Sequence, residues 1–347
     1  MCTQINDGPL VVVEARRSFP SRILTTAFCW LALVAASHAG LFITPLAGEP
    51  YQDWTIVNYV DLNPSSGILD YEGGNYTYDG HRGIDYMLPN FAAMDAGVDI
   101  FAAADGTVIG THDGEFDRNT EWNPAKQPNY VLVDHGGGLT TSYLHMRKNS
   151  VAVQVGDHVT QGQIIGQVGS SGFSAGAHLH FQAMQFGVPV ETYLDPSYYW
   201  ADPLPYAGDV TGLLDSDMTD HIPSYAEMYE RPQVIDTFYP SQSKSPTFWQ
   251  FLHGLHDGDQ ILYRWYRPDG SQYKAQLYLP QADSWKWWWS SINLPKNAAG
   301  SWSVEFYLND ELVAHDTFLV VPEPSSLALV LIGLATCACA RARRSRR

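Results

Sequence analysis

Five side chains in this sequence have the types and spacing to do chemistry together. The stretch "GAHLHFQ" places His178 and His180 two residues apart in an apolar frame, "DGHRGIDY" offers His81 and Asp85 four apart, and "TTSYLHM" ends on His145. On an extended strand the side chains of i and i+2 share one face, so His178 and His180 present two imidazoles to the same space. From the residues alone the pair could bind a metal, move protons or simply fill a strand. Cysteine usage narrows the donor set, because Cys2, Cys29, Cys337 and Cys339 all lie in the two terminal segments and residues 40–321 have none. A metal held by that region must therefore sit on His, Asp or Glu. Nitrogen and oxygen donors of this kind suit a zinc ion, which catalytic sites hold with three protein ligands and a fourth position open to water. His112, His135 and His158 occur in turn-like contexts and are read as solvated.

The elements that must position these groups are short. Through residues 40–197, β-type runs such as "NYVLVDHGGGLTTSYLHM" and "VQVGDHVTQGQIIGQVGSSG" alternate with glycine-rich turns, and few windows have helical periodicity. Residues 198–245 are rich in Pro and Asp and read as a partly ordered linker. From 246 to 321 aromatic and branched residues alternate with polar ones between Pro-Asp-Gly and Asn-Asp turns, the pattern of a small β-sandwich. The fold class is thus all-β, an antiparallel sheet domain followed by a sandwich. Trp285, Trp287, Trp288 and Trp289 offer a candidate glycan platform, although aromatic residues in a β-domain more often pack its core. The segment from Asp113 to Pro128 is longer than a minimal hairpin and is expected to form part of a groove wall.

The order of these motifs across residues 80–182 resembles the M23 family of zinc metallopeptidases, the lysostaphin-like or LytM-type enzymes. The resemblance rests on His-x-x-x-Asp at His81 and Asp85, on "DHGGGLTTSYLHM", and on "VQVGDHVTQGQIIGQVGSSGFSAGAHLHF" with its final His-x-His. It implies an M23-type core over residues 40–197, one Zn²⁺ per chain on His81, Asp85 and His180, and catalytic roles for His145 and His178 outside the ligand set. Two imidazoles and one carboxylate leave Zn²⁺ with net positive charge, which lowers the pKa of bound water towards about 7 and polarises a peptide carbonyl. There is no His-Glu-x-x-His motif to supply a glutamate base. His145 and His178, with ordinary pKa near 6.5, are then the groups available for protons. Tyr76 and Tyr78 precede the ligand loop and could offer a hydroxyl, though packing is the commoner role for such tyrosines. Gln182 stands where the family often has Glu, a position outside the ligand set.

The two ends read as addresses. Arg16, Arg17 and Arg22 precede the apolar run Ile23–Ala36, and "SHA" closes at Ala39 with small residues, which predicts a signal peptide over 1–39. The segment 322–347 joins Pro-Glu-Pro to an apolar stretch and five arginines, and it resembles the PEP-CTERM sorting signal, which implies processing by an exosortase. Removing the three acids and eight bases of these ends from the 37 and 20 of the whole leaves 34 acids and 12 bases, a net of −22. Such a surface disfavours nucleic acid. The expected function is an exported zinc endopeptidase acting on peptidoglycan stem peptides or cross-links, in the periplasm, at the outer surface or in the extracellular matrix, with transient or permanent C-terminal anchoring. Its partners are peptidoglycan or peptide substrate, signal peptidase and exosortase, and a glycan at the C-terminal domain. The alternatives are an inactive-type module that binds or activates another wall hydrolase, and a peptidase for matrix proteins.

Overall fold

The structure is a computed structural model that describes residues 40–240 and 244–322. The expected signal peptide and all but Pro322 of the expected sorting segment lie outside the described residues. Among the described residues no helix is long and apolar enough to cross a membrane.

The N-terminal half carries ten strands: β1 (Thr55–Asn58), β2 (Ile84–Met87), β3 (Asp99–Phe101), β4 (Gly106–His112), β5 (Tyr130–Asp134), β6 (Leu139–Leu144), β7 (His158–Val159), β8 (Ile164–Gln167), β9 (His178–Gln185) and β10 (Val188–Val190). Eight of them form one sheet in the order β1-β2-β9-β6-β5-β4-β7, with β10 beside β9, while β3 and β8 pair separately. Every pairing in the large sheet is antiparallel. Period-two alternation decides which side chains enter the core. On β9, Leu179, Phe181 and Ala183 are buried against Tyr86, Val131, Val133 and Tyr143, and this turns His178, His180 and Gln182 to the opposite face.

The C-terminal half adds β11 (Gly212–Thr219), β12 (Thr237–Phe238), β13 (Thr247–Leu255), β14 (Ile261–Tyr266), β15 (Gln272–Tyr278), β16 (Asp283–Ser291), β17 (Gly300–Leu308) and β18 (Glu311–Val320). They form a three-stranded sheet, β11-β13-β16, and a five-stranded sheet, β12-β18-β17-β14-β15. The two enclose a core that includes Phe248, Leu252, Trp265, Trp302 and Phe318. The all-β reading holds. Residues 198–245 carry more structure than their composition suggested: β11 pairs with β13 along its length, and the helix Tyr225–Glu230 begins with a capping box formed by Ser224 and Glu227. Asp215 and Asp217, which read as linker residues, are held in place by Arg231 at 2.9 and 3.0 Å.

The outer face of the three-stranded sheet packs on the N-terminal half. Trp249, Phe251, Trp287 and Met228 form a buried cluster, joined by Met87, Tyr229 and Trp285. His253 of β13 is buried in the same seam, stacked on Tyr51 with ring centroids 5.7 Å apart. Neither of its ring nitrogens makes a hydrogen bond of normal geometry, and burial depresses its pKa to about 4 against the pull of the nearby Tyr51 and Val210 backbones. The unfolded chain protonates this imidazole near pH 6.5 and the folded chain only near 4, so stability is full above the unfolded value and falls as pH drops between the two. We predict that His253 accounts for about 2 kcal/mol of the stability lost between pH 7 and pH 4.5. Denaturant midpoints at both pH values should therefore differ less in His253→Phe than in the parent; an identical loss in both would contradict it.

Candidate functional site

The register of three neighbouring strands gathers the site. β2 runs antiparallel to β9 with Asp85 opposite His180 and Met87 opposite His178, and β6 lies on the other flank with Leu144 opposite His180. A slip of one residue would send Asp85 or His180 into the core, where neither fits, so the burial of Leu179 and Phe181 fixes the functional pairing as well as the fold. His81 arrives on the turn before β2. Its Nε2 lies 3.1 Å from His180 Nδ1 and 3.2 Å from Asp85 Oδ1, and His180 Nδ1 lies 2.8 Å from the same carboxylate oxygen. These separations are near the edge of about 3.3 Å expected for a tetrahedron whose metal–ligand bonds are about 2.0–2.1 Å. All three side chains are buried.

Supporting contacts set the orientation of each donor. His81 donates from Nδ1 to the Tyr59 carbonyl at 2.7 Å, so in the neutral ring Nε2 carries no hydrogen and faces its two companions, while against the opposing effect of burial Asp85 raises the pKa of the ring. Asn58, carried opposite Asp85 by a bulge in β1, donates to the second oxygen of that carboxylate at 2.9 Å. Burial alone would raise the Asp85 pKa, but His81 and His180 outweigh it and hold the carboxyl well below its ordinary value. Gln182 Oε1 sits 3.5 Å from His180 Nε2, at the outer limit for accepting its hydrogen.

His145 and His178 form a pair beside these three donors, with ring centroids 4.5 Å apart. His145 Nδ1 donates to the Ser171 carbonyl at 2.7 Å and His178 Nδ1 to the Gly176 carbonyl at 2.9 Å. A carbonyl can only accept, so both rings keep their hydrogen on Nδ1 and leave Nε2 as a free acceptor. Burial lowers the pKa of both, His145 the more strongly with the charges of His178 and His180 adding to the effect, and both are neutral near pH 7. His145 also holds a left-handed backbone, φ 66°, just beyond the end of β6. That conformation costs a non-glycine residue of order 1 kcal/mol or more and persists because Ser171 and Asn129 hold the chain on either side of it.

Asp85, His145 and His178 open on a cleft of about 150 Å³ that is also lined by Tyr78, Trp122, Phe173 and Trp285, among others. Trp122, from the loop expected to form a groove wall, packs against Phe173 and Tyr78 with centroids 5.5 Å from each. Tyr78 lies over His81 at 4.4 Å, while Tyr76 belongs to the core. His112, His135 and His158 hydrogen-bond elsewhere and stand apart from the cluster. Sequence reasoning missed Asn58, whose role depends on a bulge, and Tyr229 and Trp285, which reach the cleft only through the packing of the two halves.

A buried His–Asp–His set on an antiparallel sheet, flanked by two oriented imidazoles, is an arrangement suited to a mononuclear metal centre. Residues 79–192 match the model of Peptidase family M23, and residues 320–345 match the PEP-CTERM protein-sorting motif. Similar proteins include the peptidoglycan DD-endopeptidase ShyC of Vibrio cholerae, 34% identical over 31% of this chain and 21% of its own length. The glycyl-glycine endopeptidase ALE-1 of Staphylococcus capitis is 33% identical over 37% of this chain and 30% of its own. The chain thus spans about a fifth to a third of the length of these curated relatives. Among solved structures, the catalytic domain of lysostaphin from Staphylococcus simulans aligns with 40% of this chain and 86% of its own at 23% identity and a TM-score of 0.27.

Gly83, between His81 and Asp85, makes the close approach possible. A Cβ there would stand 2.6 Å from the Phe181 carbonyl and 2.7 Å from His180 Nε2. We predict that Gly83→Ala forces β2 and β9 apart and lowers unfolding free energy by about 1–3 kcal/mol, as overpacking does. Urea denaturation measures it; a variant as stable as the parent would contradict the packing described.

Proposed function

We propose that the protein is an exported zinc metalloendopeptidase that cleaves peptide bonds in peptidoglycan stem peptides or cross-links. The observation that carries this reading is the convergence of His81 Nε2, Asp85 Oδ1 and His180 Nδ1 to within 2.8–3.2 Å of one another beside two neutral, Nδ1-tethered histidines. The name of ShyC supports the substrate class, that of ALE-1 supports cleavage of peptide bonds, and the match at 320–345 supports export with exosortase processing.

In this reading His81, Asp85 and His180 hold one Zn²⁺. The donor set fits it: two imidazoles and one carboxylate, no thiolate, and the three protein ligands that a catalytic zinc site uses. The ion supplies Lewis acidity that lowers the pKa of a water and polarises the scissile carbonyl. The protein's own groups do the rest. Asn58 locks the Asp85 carboxylate, and the Tyr59 carbonyl fixes the His81 tautomer. His145 and His178 offer Nε2 lone pairs on the cleft wall; between them they take a proton from the attacking water and return one to the departing amine. Trp122, Phe173 and Tyr78 shield that exchange from bulk solvent. An inactive-type module would be expected to have lost part of this constellation, and all five side chains are present.

The test separates the two histidines of β9. His180→Ala should lose zinc and activity together. His178→Ala and His145→Ala should keep one zinc per chain and lose cleavage by about 10²- to 10⁴-fold. Elemental analysis beside mass spectrometry of the new termini released from purified peptidoglycan measures both. Loss of zinc in His178→Ala would overturn the ligand assignment, full activity in it would overturn the proton role, and a zinc-loaded parent that cuts nothing would favour the non-catalytic module.

A further inference from the structure

A second groove, of about 610 Å³, runs along β16 and is lined by Tyr225, Tyr278, Asp283, Lys286 and the four tryptophans 285, 287, 288 and 289. Strand alternation divides those tryptophans. Trp288 packs toward the sandwich core and Trp287 is 8% exposed, whereas Trp289 is 39% and Tyr225 77% exposed. Core packing therefore explains part of the cluster and leaves two large aromatic side chains facing water on one surface. Successive rings meet edge to face, Trp285 on Trp287 at 5.3 Å and 71°, and Tyr225 on Trp287 at 5.6 Å and 61°, so the wall presents ring faces in several directions.

This groove adjoins the cleft that holds the histidines. Trp285 lines both. Tyr229, also in the cleft wall, meets Trp287 at 5.1 Å and approaches Gly176, two residues before His178. A ligand long enough to extend from the histidines past Trp285 comes within reach of the aromatic groove. Its chemistry is apolar ring faces with one carboxylate and one ammonium at the border, on a protein whose residues 40–321 carry a net charge of −22. Ring faces of negative potential attract the C–H groups on the flat side of a pyranose, while the charged border can meet its hydroxyls. An anionic polymer is disfavoured by the overall field.

We propose that the β16 groove is a saccharide subsite that holds the neutral glycan strand of the same polymer whose peptides lie in the cleft, with Trp289 and Tyr225 as its stacking surfaces. This rests on the reading of the cleft as a peptidoglycan peptidase, since there the peptide reaches the histidines while still attached to its sugar. The sandwich then sets substrate preference, favouring peptides borne on glycan over free ones.

Fluorescence titration of the full protein with a β-1,4-linked N-acetylglucosamine tetramer tests the subsite without cleavage, and kcat/KM on intact sacculi and on a sugar-free cross-linked peptide tests its use. Trp289→Ala and Tyr225→Ala are chosen because both side chains are solvent-facing and lie outside the catalytic machinery. Each should weaken tetramer binding by about tenfold, the scale of one lost stacking contact. Each should also raise KM on sacculi while leaving the sugar-free peptide unchanged. Absence of saturable tetramer binding in the parent, or parent-like binding in both variants, overturns the proposal. An equal loss on the sugar-free peptide also overturns it and assigns the groove to a peptide strand paired along β16. If the parent cuts neither substrate yet binds the tetramer in a Trp289-dependent way, the peptidase reading fails and the saccharide subsite stands.

Discussion

Asp85 places an ionised carboxylate, 4% exposed, on the second strand of an antiparallel sheet, and much of the surrounding structure answers to it. A buried charge of this kind is strongly unfavourable unless it is paired and hydrogen-bonded. One oxygen receives Asn58 and the other faces two imidazole nitrogens at 2.8 and 3.2 Å. Neutral imidazoles that turn unprotonated nitrogens towards it can neither satisfy that oxygen nor cancel its charge. A divalent cation at the point where the three donors converge would do both. The bulge in β1, the Tyr59 carbonyl on His81 and the exclusion of a side chain at Gly83 all serve that convergence.

The same economy links the two halves of the chain. The face of the three-stranded sheet that would otherwise expose Trp249 and Phe251 is covered by Met87, Met228 and Tyr229, so the apolar surface that stabilises the sandwich also builds one wall of the cleft. Arg231 reinforces the seam by bridging Asp215 and Asp217, and Asn90 from the sheet domain donates to Asp215 at 2.7 Å. The sandwich is thus fixed against the rim of the site rather than tethered beside it, and whatever it binds is held in register with the histidines.

Much of the site was legible in the sequence because its groups fall in short motifs: His178 and His180 two apart at strand spacing, His81 and Asp85 four apart across Gly83. Alternation around Leu179 and Phe181 then fixes which face they take. Asn58 was not legible, since "TIVNYV" reads as an ordinary strand and only a bulge aims that amide at Asp85. β11 was hidden by its aspartates, which signal solvent until Arg231 is seen between them. The tryptophans of β16 were ambiguous for a physical reason: alternate residues on one edge strand serve the core and the groove, and sequence alone does not say which side the rest of the protein covers.

The central claim is that the His81–Asp85–His180 cluster is built around a divalent cation, and thermal stability measures it most directly. A ligand that binds only the folded state stabilises it by about 2.7 kcal/mol when present at a hundred times its Kd, enough to move a melting midpoint by several degrees. The protein treated with a chelator should melt lower than the untreated protein, regain its midpoint with one equivalent of Zn²⁺, and lose that response in Asp85→Asn. Melting curves of the parent that superimpose with chelator and with zinc would contradict the account.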